Sequence, residues 1–194
     1  MRTKKSTSIV AQTAILGSLV VVFDYAMKFS GLKIIFPPLP YLKFDFTGIP
    51  IVLSLLLIDL KSGAVTSIVA MLAILVRSGD FVSAFMKALA EFSTILGMSM
   101  GIMAVKNNSR LSKILSFVTG GTVRTLTMAV ANLIVLPYYA SISFEAVLLT
   151  TPLIALFNLF HGLLSMFGGY LIYEALKFRI PSLILEKKTL NQLG

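Results

Sequence analysis

Polar side chains recur at one depth in three of the apolar segments of this sequence. Counted from one end of each segment at a helical rise of about 1.5 Å per residue, Lys87, Asn132 and Asn158 lie about 8–9 Å inside. His161 lies one turn beyond Asn158 on the same helical face. Because polar groups inside a bilayer are costly, their shared level predicts a binding site. Polar contacts between helices are the alternative.

The two carboxamides indicate what such a site would bind. Each offers a carbonyl oxygen and an NH₂ group, so together they suit a ligand that presents both donors and acceptors. His161 is the only histidine, and the chain has no cysteine. Because no carboxylate cluster surrounds it, we expect His161 to line the pocket and not to hold a metal. A membrane-embedded enzyme using His161 with Glu91 as acid and base is a rival hypothesis, but we expect no enzyme.

Glu91 and Arg124 are predicted near the middle of two adjacent antiparallel helices. Charges at that depth need a partner of opposite sign. We therefore expect a structural ion pair between them, with a proton relay as the alternative.

Residues 36–50, FPPLPYLKFDFTGIP, lie between two apolar segments. Prolines at 37, 38 and 40 fix φ and remove backbone donors, which predicts an extended, stiff strap. Aromatic rings and one charge of each sign follow them, so the strap suits a lid over a flat ligand with polar edges. Which of Lys43 and Asp45 touches the ligand is left open. The strap residues expected to contact it are Tyr41, Leu42, Lys43, Asp45 and Phe46.

These residues need a membrane bundle to position them. The chain has 194 residues, of which 57% are hydrophobic and 13% charged, outside the range of soluble domains. This length holds about six spans of roughly 20 residues. We predict one all-α membrane domain over residues 1–194 with six transmembrane helices and the proline-rich lid in the outer loop between the first two. The predicted helices are 8–27, 46–60, 62–76, 81–105, 112–136 and 152–176, of which the second and third are short.

The connection before the last helix has its own signals. Thr151 followed by Pro152 is typical of a helix N-cap and first turn. This pair predicts that the last helix starts at residue 152. Residues 143–149 are then predicted to form a short surface helix within a loop over residues 137–151.

Basic residues outnumber acidic ones by 17 to 8, but they lie beside the apolar segments and form no single basic face, so we expect no nucleic acid partner. Basic residues concentrate in cytoplasmic loops, which predicts that both termini are cytoplasmic and the strap faces outward. The residues then inside are Arg2, Lys4, Lys5, Lys61, Lys106, Arg110, Lys113, Lys177, Arg179, Lys187 and Lys188. Those outside are Lys28, Lys33, Lys43 and Arg77.

Ala14 and Ser18 are small residues one turn apart on the first predicted helix. Small residues at this spacing let another helix approach closely. Internal packing is one interpretation, and docking of another membrane protein is the sharper one.

Three blocks of the sequence together resemble a known family. They are LKxDFxxIP with Leu42, Lys43, Asp45, Phe46, Ile49 and Pro50; Asn132 before Leu136 and Pro137; and FNLxxG with Phe157, Asn158, Leu159 and Gly162. They resemble the riboflavin-specific substrate-binding (S) components of energy-coupling factor (ECF) vitamin transporters. The likeness extends over the whole chain in size, helix count and order of features.

The resemblance implies high-affinity capture of riboflavin, with flavin mononucleotide as a second candidate, at a bacterial plasma membrane. It implies a transmembrane coupling subunit and two cytoplasmic ATPases as partners, with docking at Ala14 and Ser18. Riboflavin is then the transported substrate and not a catalytic cofactor. It also implies that residues such as Asn132 and Asn158 hold the flavin. The family commonly has Lys where this chain has His161. An S component for another vitamin such as thiamin is the runner-up, and a scaffold subunit is a third hypothesis.

Overall fold

The computed structural model describes residues 2–105 and 108–180, with side chains from Thr7 onward. This part folds into six helices and a short hairpin. The helices are α1 (Arg2–Phe29), α2 (Gly48–Leu57), α3 (Leu60–Ser78), α4 (Phe81–Ala104), α5 (Ser109–Tyr139) and α6 (Phe144–Arg179), and the strands are β1 (Ile34–Ile35) and β2 (Lys43–Phe44). Every helix except α2 is long and apolar enough to cross a bilayer. The all-helical prediction is confirmed, and the chain is a multi-pass membrane protein.

The short helices differ from their predicted bounds. Helix α2 has only 10 residues, about 15 Å, so it does not span a bilayer by itself. Helix α3 has 19 residues, about 28 Å, and is not short. Its start is fixed by Asp59, whose side chain accepts a hydrogen bond of 2.7 Å from the Ser62 N–H, and it ends at Gly79 with φ of 69°. These two caps lengthen α3 beyond its most apolar stretch.

The predicted loop and surface helix before the last span are wrong. Helix α5 continues through Pro137 to Tyr139, and α6 begins at Phe144. The Ser143 side chain caps α6 by accepting from the Ala146 N–H at 3.3 Å. Thr151 is not an N-cap, because its hydroxyl donates back to the Val147 carbonyl at 2.9 Å inside the helix. Pro152 therefore lies inside α6 and not in its first turn.

The strap is a compact hairpin and not an extended segment. Ile34 and Ile35 pair with Phe44 and Lys43. Between the strands the chain folds through turns, with Phe36 and Leu42 joined by a backbone hydrogen bond of 3.0 Å. Proline suits such turns as well as extended backbone, so composition alone could not separate them. Phe36 and Leu39 are buried against Ile154 and Phe157 of α6, which anchors the hairpin to the bundle.

Helices α4 and α5 approach closely. A Cβ atom on Gly97 would lie 2.5 Å from the Thr119 carbonyl oxygen, and the Thr119 hydroxyl donates to the Gly97 carbonyl at 2.7 Å. A Cβ atom on Gly101, one turn later, would lie 2.6 Å from the Ser116 backbone nitrogen. Gly97 and Gly101 therefore serve packing within the chain. This contact sets the charged residues of α4 beside those of α5.

The connections α1–α2, α3–α4 and α5–α6 lie at one end of the bundle, here called the hairpin end. Lys106, Lys187 and Lys188 lie outside the described residues, as do residues 181–194 of the predicted domain and the side chains of Arg2, Lys4 and Lys5.

Candidate ligand-binding site

A cavity of about 780 Å³ opens at the hairpin end. Helices α1, α3, α4, α5 and α6 and the hairpin all contribute to its wall. Its volume lies within the range of small-molecule sites, about 300–1,000 Å³. The structure brings most of the predicted ligand residues to this one cavity, namely Tyr41, Leu42, Lys43, Asp45, Lys87, Asn132, Asn158 and His161.

Phe46 is not among the residues that line the cavity. Side chains alternate in extended backbone, so Lys43 and Asp45 face the cavity while the residues between and after them turn away. The Phe44 ring instead packs on Phe157, with ring centroids 4.6 Å apart. Phe44 therefore holds the hairpin on α6, and Lys43 and Asp45 reach the site.

The two carboxamides are held by their own helices. Asn132 Nδ2 donates to the Met128 carbonyl at 2.7 Å, and Asn158 Nδ2 donates to the Ile154 carbonyl at 2.9 Å. Both side chains are buried apart from the cavity they line. Each bond uses one N–H and fixes the orientation of the amide, so the carbonyl oxygen and the second N–H can serve a ligand.

Asp45 organises the entry to α2. Its Oδ1 accepts from the Thr47 N–H at 3.1 Å, from the Thr47 hydroxyl at 2.6 Å and from Lys87 Nζ at 2.8 Å. Burial alone would raise the pKa of the Asp45 carboxyl, but the Lys87 ammonium and the His161 ring outweigh it and hold the pKa well below its usual range. Asp45 is therefore an ionised structural group at the wall of the cavity.

Lys87 joins two carboxylates. Its ammonium lies 2.8 Å from Asp45 Oδ1, 2.8 Å from Glu91 Oε1 and 3.4 Å from His161 Nε2. An ammonium has three donors, and the two carboxylates occupy two of them. The arrangement favours a positioning role for Lys87 beside the cavity over a direct bond to the ligand.

Glu91 and Arg124 lie together at the floor of the site. Arg124 Nη1 is 3.2 Å from Glu91 Oε1 and donates to the Thr94 hydroxyl at 2.9 Å. Both side chains are almost fully buried. Because Lys87 also binds Glu91, the predicted pair is part of a larger network that extends to the hairpin.

His161 lies between the network and the aromatic cluster. Its Nε2 is 3.2 Å from the Asp45 carbonyl oxygen, and its ring meets Phe44 and Phe157 edge-on at centroid distances of 5.6 and 5.3 Å. These contacts fix the ring plane at the wall of the cavity.

Sequence reasoning missed a second charged cluster at the mouth of the cavity. Asp24 of α1 is fully buried, and its carboxylate is 2.6 Å from Arg77 Nε and 2.9 Å from Lys33 Nζ. Both cations line the cavity. Asp24 and Arg77 are opposite charges in two membrane helices, and this signal could have predicted their contact, as it did for Glu91 and Arg124.

Ala14 and Ser18 lie away from the cavity, and both are exposed on α1. The Ser18 hydroxyl donates to the Ala14 carbonyl at 2.9 Å, so its hydrogen is already used within the helix. The pair therefore forms a small-residue surface on the lipid-facing side of the bundle.

Neither protein-family models nor curated proteins match the chain. A solved structure of the S component of a bacterial ECF transporter is similar to it, with a TM-score of 0.76 and 22% sequence identity. The alignment covers 90% of this chain and 98% of that chain. The two proteins therefore share a fold.

Proposed function

We propose that this chain is the S component of an ECF vitamin transporter and that it captures riboflavin for ATP-driven uptake. The observation that carries the proposal is the cavity under the hairpin. It joins two oriented carboxamides to apolar side chains on a fold like that of an S component. A transmembrane coupling subunit and two cytoplasmic ATPases would supply the energy. The chain itself performs no chemistry in this proposal.

The cavity wall suits a flavin. Apolar side chains such as Leu42, Met128 and Phe157 can cover the faces of a flat ring. Asn132 and Asn158 offer acceptors and donors to the polar edge of the ring or to the hydroxyls of its tail. A ligand with one flat apolar part and one hydrogen-bonding edge is what this combination would select.

Two rival functions fit the residues less well. A cationic ring such as thiamin would face Lys33, Lys43 and Arg77 in the wall, and like charges repel. For an enzyme, Glu91 would have to reach a substrate, but it does not line the cavity, and its Oε1 already lies 2.8 Å from Lys87 Nζ and 3.2 Å from Arg124 Nη1.

Orientation and location belong to the same proposal. The hairpin end would face outward from a bacterial plasma membrane, with both termini in the cytoplasm. The exposed pair Ala14 and Ser18 would be the docking surface for the coupling subunit, because it permits close helix contact away from the cavity.

Binding can be tested on the purified protein. The protein in detergent is expected to be yellow, with a flavin absorbance spectrum, or to quench riboflavin fluorescence in a titration after the bound flavin is removed. The chain has no tryptophan, so the flavin signal is read without that background. A thermal-shift assay that compares riboflavin with thiamin adds the vitamin control. Stabilisation by thiamin and none by riboflavin would refute the proposed ligand.

A further inference from the structure

The end of the bundle opposite the hairpin carries a group of cations where α5 begins and α6 ends, here called the basic cluster. Its members are exposed side chains from both helices: Arg110, Lys113, Lys177 and Arg179. Within the described residues, the one carboxylate that pairs with any of them is Glu174. Four positive charges against one negative charge leave a formal surplus of three.

Two of these cations converge on the same carboxylate. Lys113 Nζ lies 3.9 Å from Glu174 Oε1, and Lys177 Nζ lies 3.7 Å from Glu174 Oε2. Both distances are longer than a hydrogen bond. Glu174 therefore holds the two ammonium groups near each other without using their N–H donors, which can turn to a further anion.

The position of Lys113 is set by a packed aromatic pair. Its Nζ lies 4.8 Å from the centroid of the Tyr170 ring, a cation–π contact. Tyr170 is buried, its ring stacks on Phe117 at a centroid distance of 5.2 Å, and its hydroxyl lies 3.0 Å from Ser116 Oγ. The ammonium of Lys113 is thus held at a defined place between α5 and α6.

The surface beside the basic cluster is apolar. Arg110, Ile114 and Val118 follow one another at a spacing of four on one face of α5, and all three are exposed. On α6, Phe167 and Leu171 are exposed one turn apart. Such a surface is covered by lipid chains in a bilayer, so the cations at its end lie at the level of the phospholipid headgroups.

We propose that the basic cluster binds the headgroup phosphate of an anionic phospholipid, whose acyl chains lie along the exposed stripe of α5. Lys113 and Arg110 contact the phosphate, and Lys177 adds to the positive potential there. A zwitterionic headgroup brings its own cation to this surplus of positive charge and is bound less well. The inference does not depend on the ligand of the cavity, because the basic cluster lies at the other end of the bundle.

Native mass spectrometry of the purified protein in a neutral detergent tests the preference. Phosphatidylglycerol and phosphatidylcholine with the same acyl chains are titrated in parallel. The protein should retain phosphatidylglycerol about fivefold more tightly, because each basic residue near a headgroup contributes to the attraction. Raising the ammonium acetate concentration should shrink this ratio, because exposed charges are screened.

The matched variants are Lys113→Gln and Lys113→Arg. Lys113→Gln should weaken phosphatidylglycerol binding by about fivefold, whereas Lys113→Arg, which keeps the charge and the contact to the Tyr170 ring, should stay within about twofold of the parent. Lys61→Gln is the control, because Lys61 is exposed in the first turn of α3 at the same end of the bundle. It makes the same change of net charge and should leave binding unchanged. Melting temperatures check that each variant folds.

A further arm separates the lipid from its headgroup alone. Glycerophosphoglycerol, the same headgroup without acyl chains, should not displace phosphatidylglycerol at an equal concentration. Displacement by it would overturn a lipid as the occupant. Equal retention of the two lipids, or equal losses in Lys113→Gln and Lys61→Gln, would overturn the site itself, because no headgroup selectivity or only overall charge would remain. All these measurements are made without flavin, so their failure leaves the proposed function standing.

Discussion

The Asp45 carboxylate and the Lys87 ammonium lie 2.8 Å apart, and this ion pair fastens the segment before α2 to the second turn of α4. Asp45 also accepts two hydrogen bonds from Thr47 at the start of α2. The same carboxylate thus stabilises the N-terminus of α2 and anchors the residues that follow β2 to α4. The position of the lid and the position of the cavity floor are consequently set by one group.

The depressed pKa of Asp45 makes its contribution to stability dependent on pH. The contribution is complete above the unfolded pKa of about 3.9 and is lost as the pH falls through the lower folded pKa. Asp45→Asn keeps an oxygen for Thr47 but removes the charge, so at neutral pH it should lower the free energy of unfolding by about 1.5–3 kcal/mol. Thermal unfolding in detergent should show the gap between variant and parent constant from pH 7 to pH 5, and narrowing below about pH 4.

Asp80→Asn is the comparison for Asp45. Its carboxyl pKa is also lowered, chiefly by the hydrogen bonds from Ser83, but Asp80 lies at an exposed helix start. Its substitution should produce a smaller loss than that of Asp45. A gap for Asp45→Asn that widens in acid would contradict the assignment.

Glu91 should matter more for stability than Arg124. Glu91→Gln leaves two buried cations, Arg124 and Lys87, without that carboxylate, whereas Arg124→Gln leaves Glu91 still bound to Lys87. Breaking a buried ion pair costs about 3–5 kcal/mol, so we expect Glu91→Gln at or above this range and Arg124→Gln below it. Thermal unfolding of both single variants and the double variant gives the coupling energy, and additive losses would show that the pair does not act as one unit.

Gly48 lies where α2 meets α4 and α6. A Cβ atom there would collide with the Ser165 hydroxyl and Glu91 Oε2, both buried. Gly48→Ala should therefore lower the melting temperature, and Gly48→Ala with Ser165→Ala should recover part of the loss. Gly17→Ala is the control, because a Cβ atom there would lie 3.5 Å from Val69, an ordinary contact. Equal melting temperatures for Gly48→Ala and Gly17→Ala would rule out the collision.

The sequence predicted the fold and most of the cavity for one physical reason. Polar residues in apolar segments are costly, so their depth is informative, and Lys87, Asn132 and Asn158 do reach one cavity. Helix ends were harder, because a side-chain cap such as Ser143 can outweigh a nearby proline. The direction of a side chain in the strap, as at Phe46, depended on a hairpin that composition did not specify.

The two carboxamides provide the direct test of the proposed ligand. Asn132→Leu or Asn158→Leu should weaken riboflavin binding by about 1–3 kcal/mol for each hydrogen-bonding partner lost. Thr150→Val is the control on α6, because the Thr150 hydroxyl bonds only to carbonyls of its own helix and does not line the cavity. Fluorescence titration should separate the variants, with melting temperatures checking the fold. Parent-like binding in both leucine variants would remove these residues from the site.

Coupling to an energy source should be separable from binding. Ala14 and Ser18 are exposed, one turn apart and small, so a partner helix can approach there, and neither lines the cavity. Ala14→Trp with Ser18→Trp should leave riboflavin affinity unchanged in detergent yet abolish ATP-dependent uptake and co-purification with the coupling subunit. Ile15→Trp is the control, since Ile15 is 67% exposed on the same helix but already bulky, so the partner surface does not depend on a small side chain there. Loss of both binding and uptake would mean that the pair packs inside the bundle, whereas uptake that persists without any ATPase would refute energy coupling.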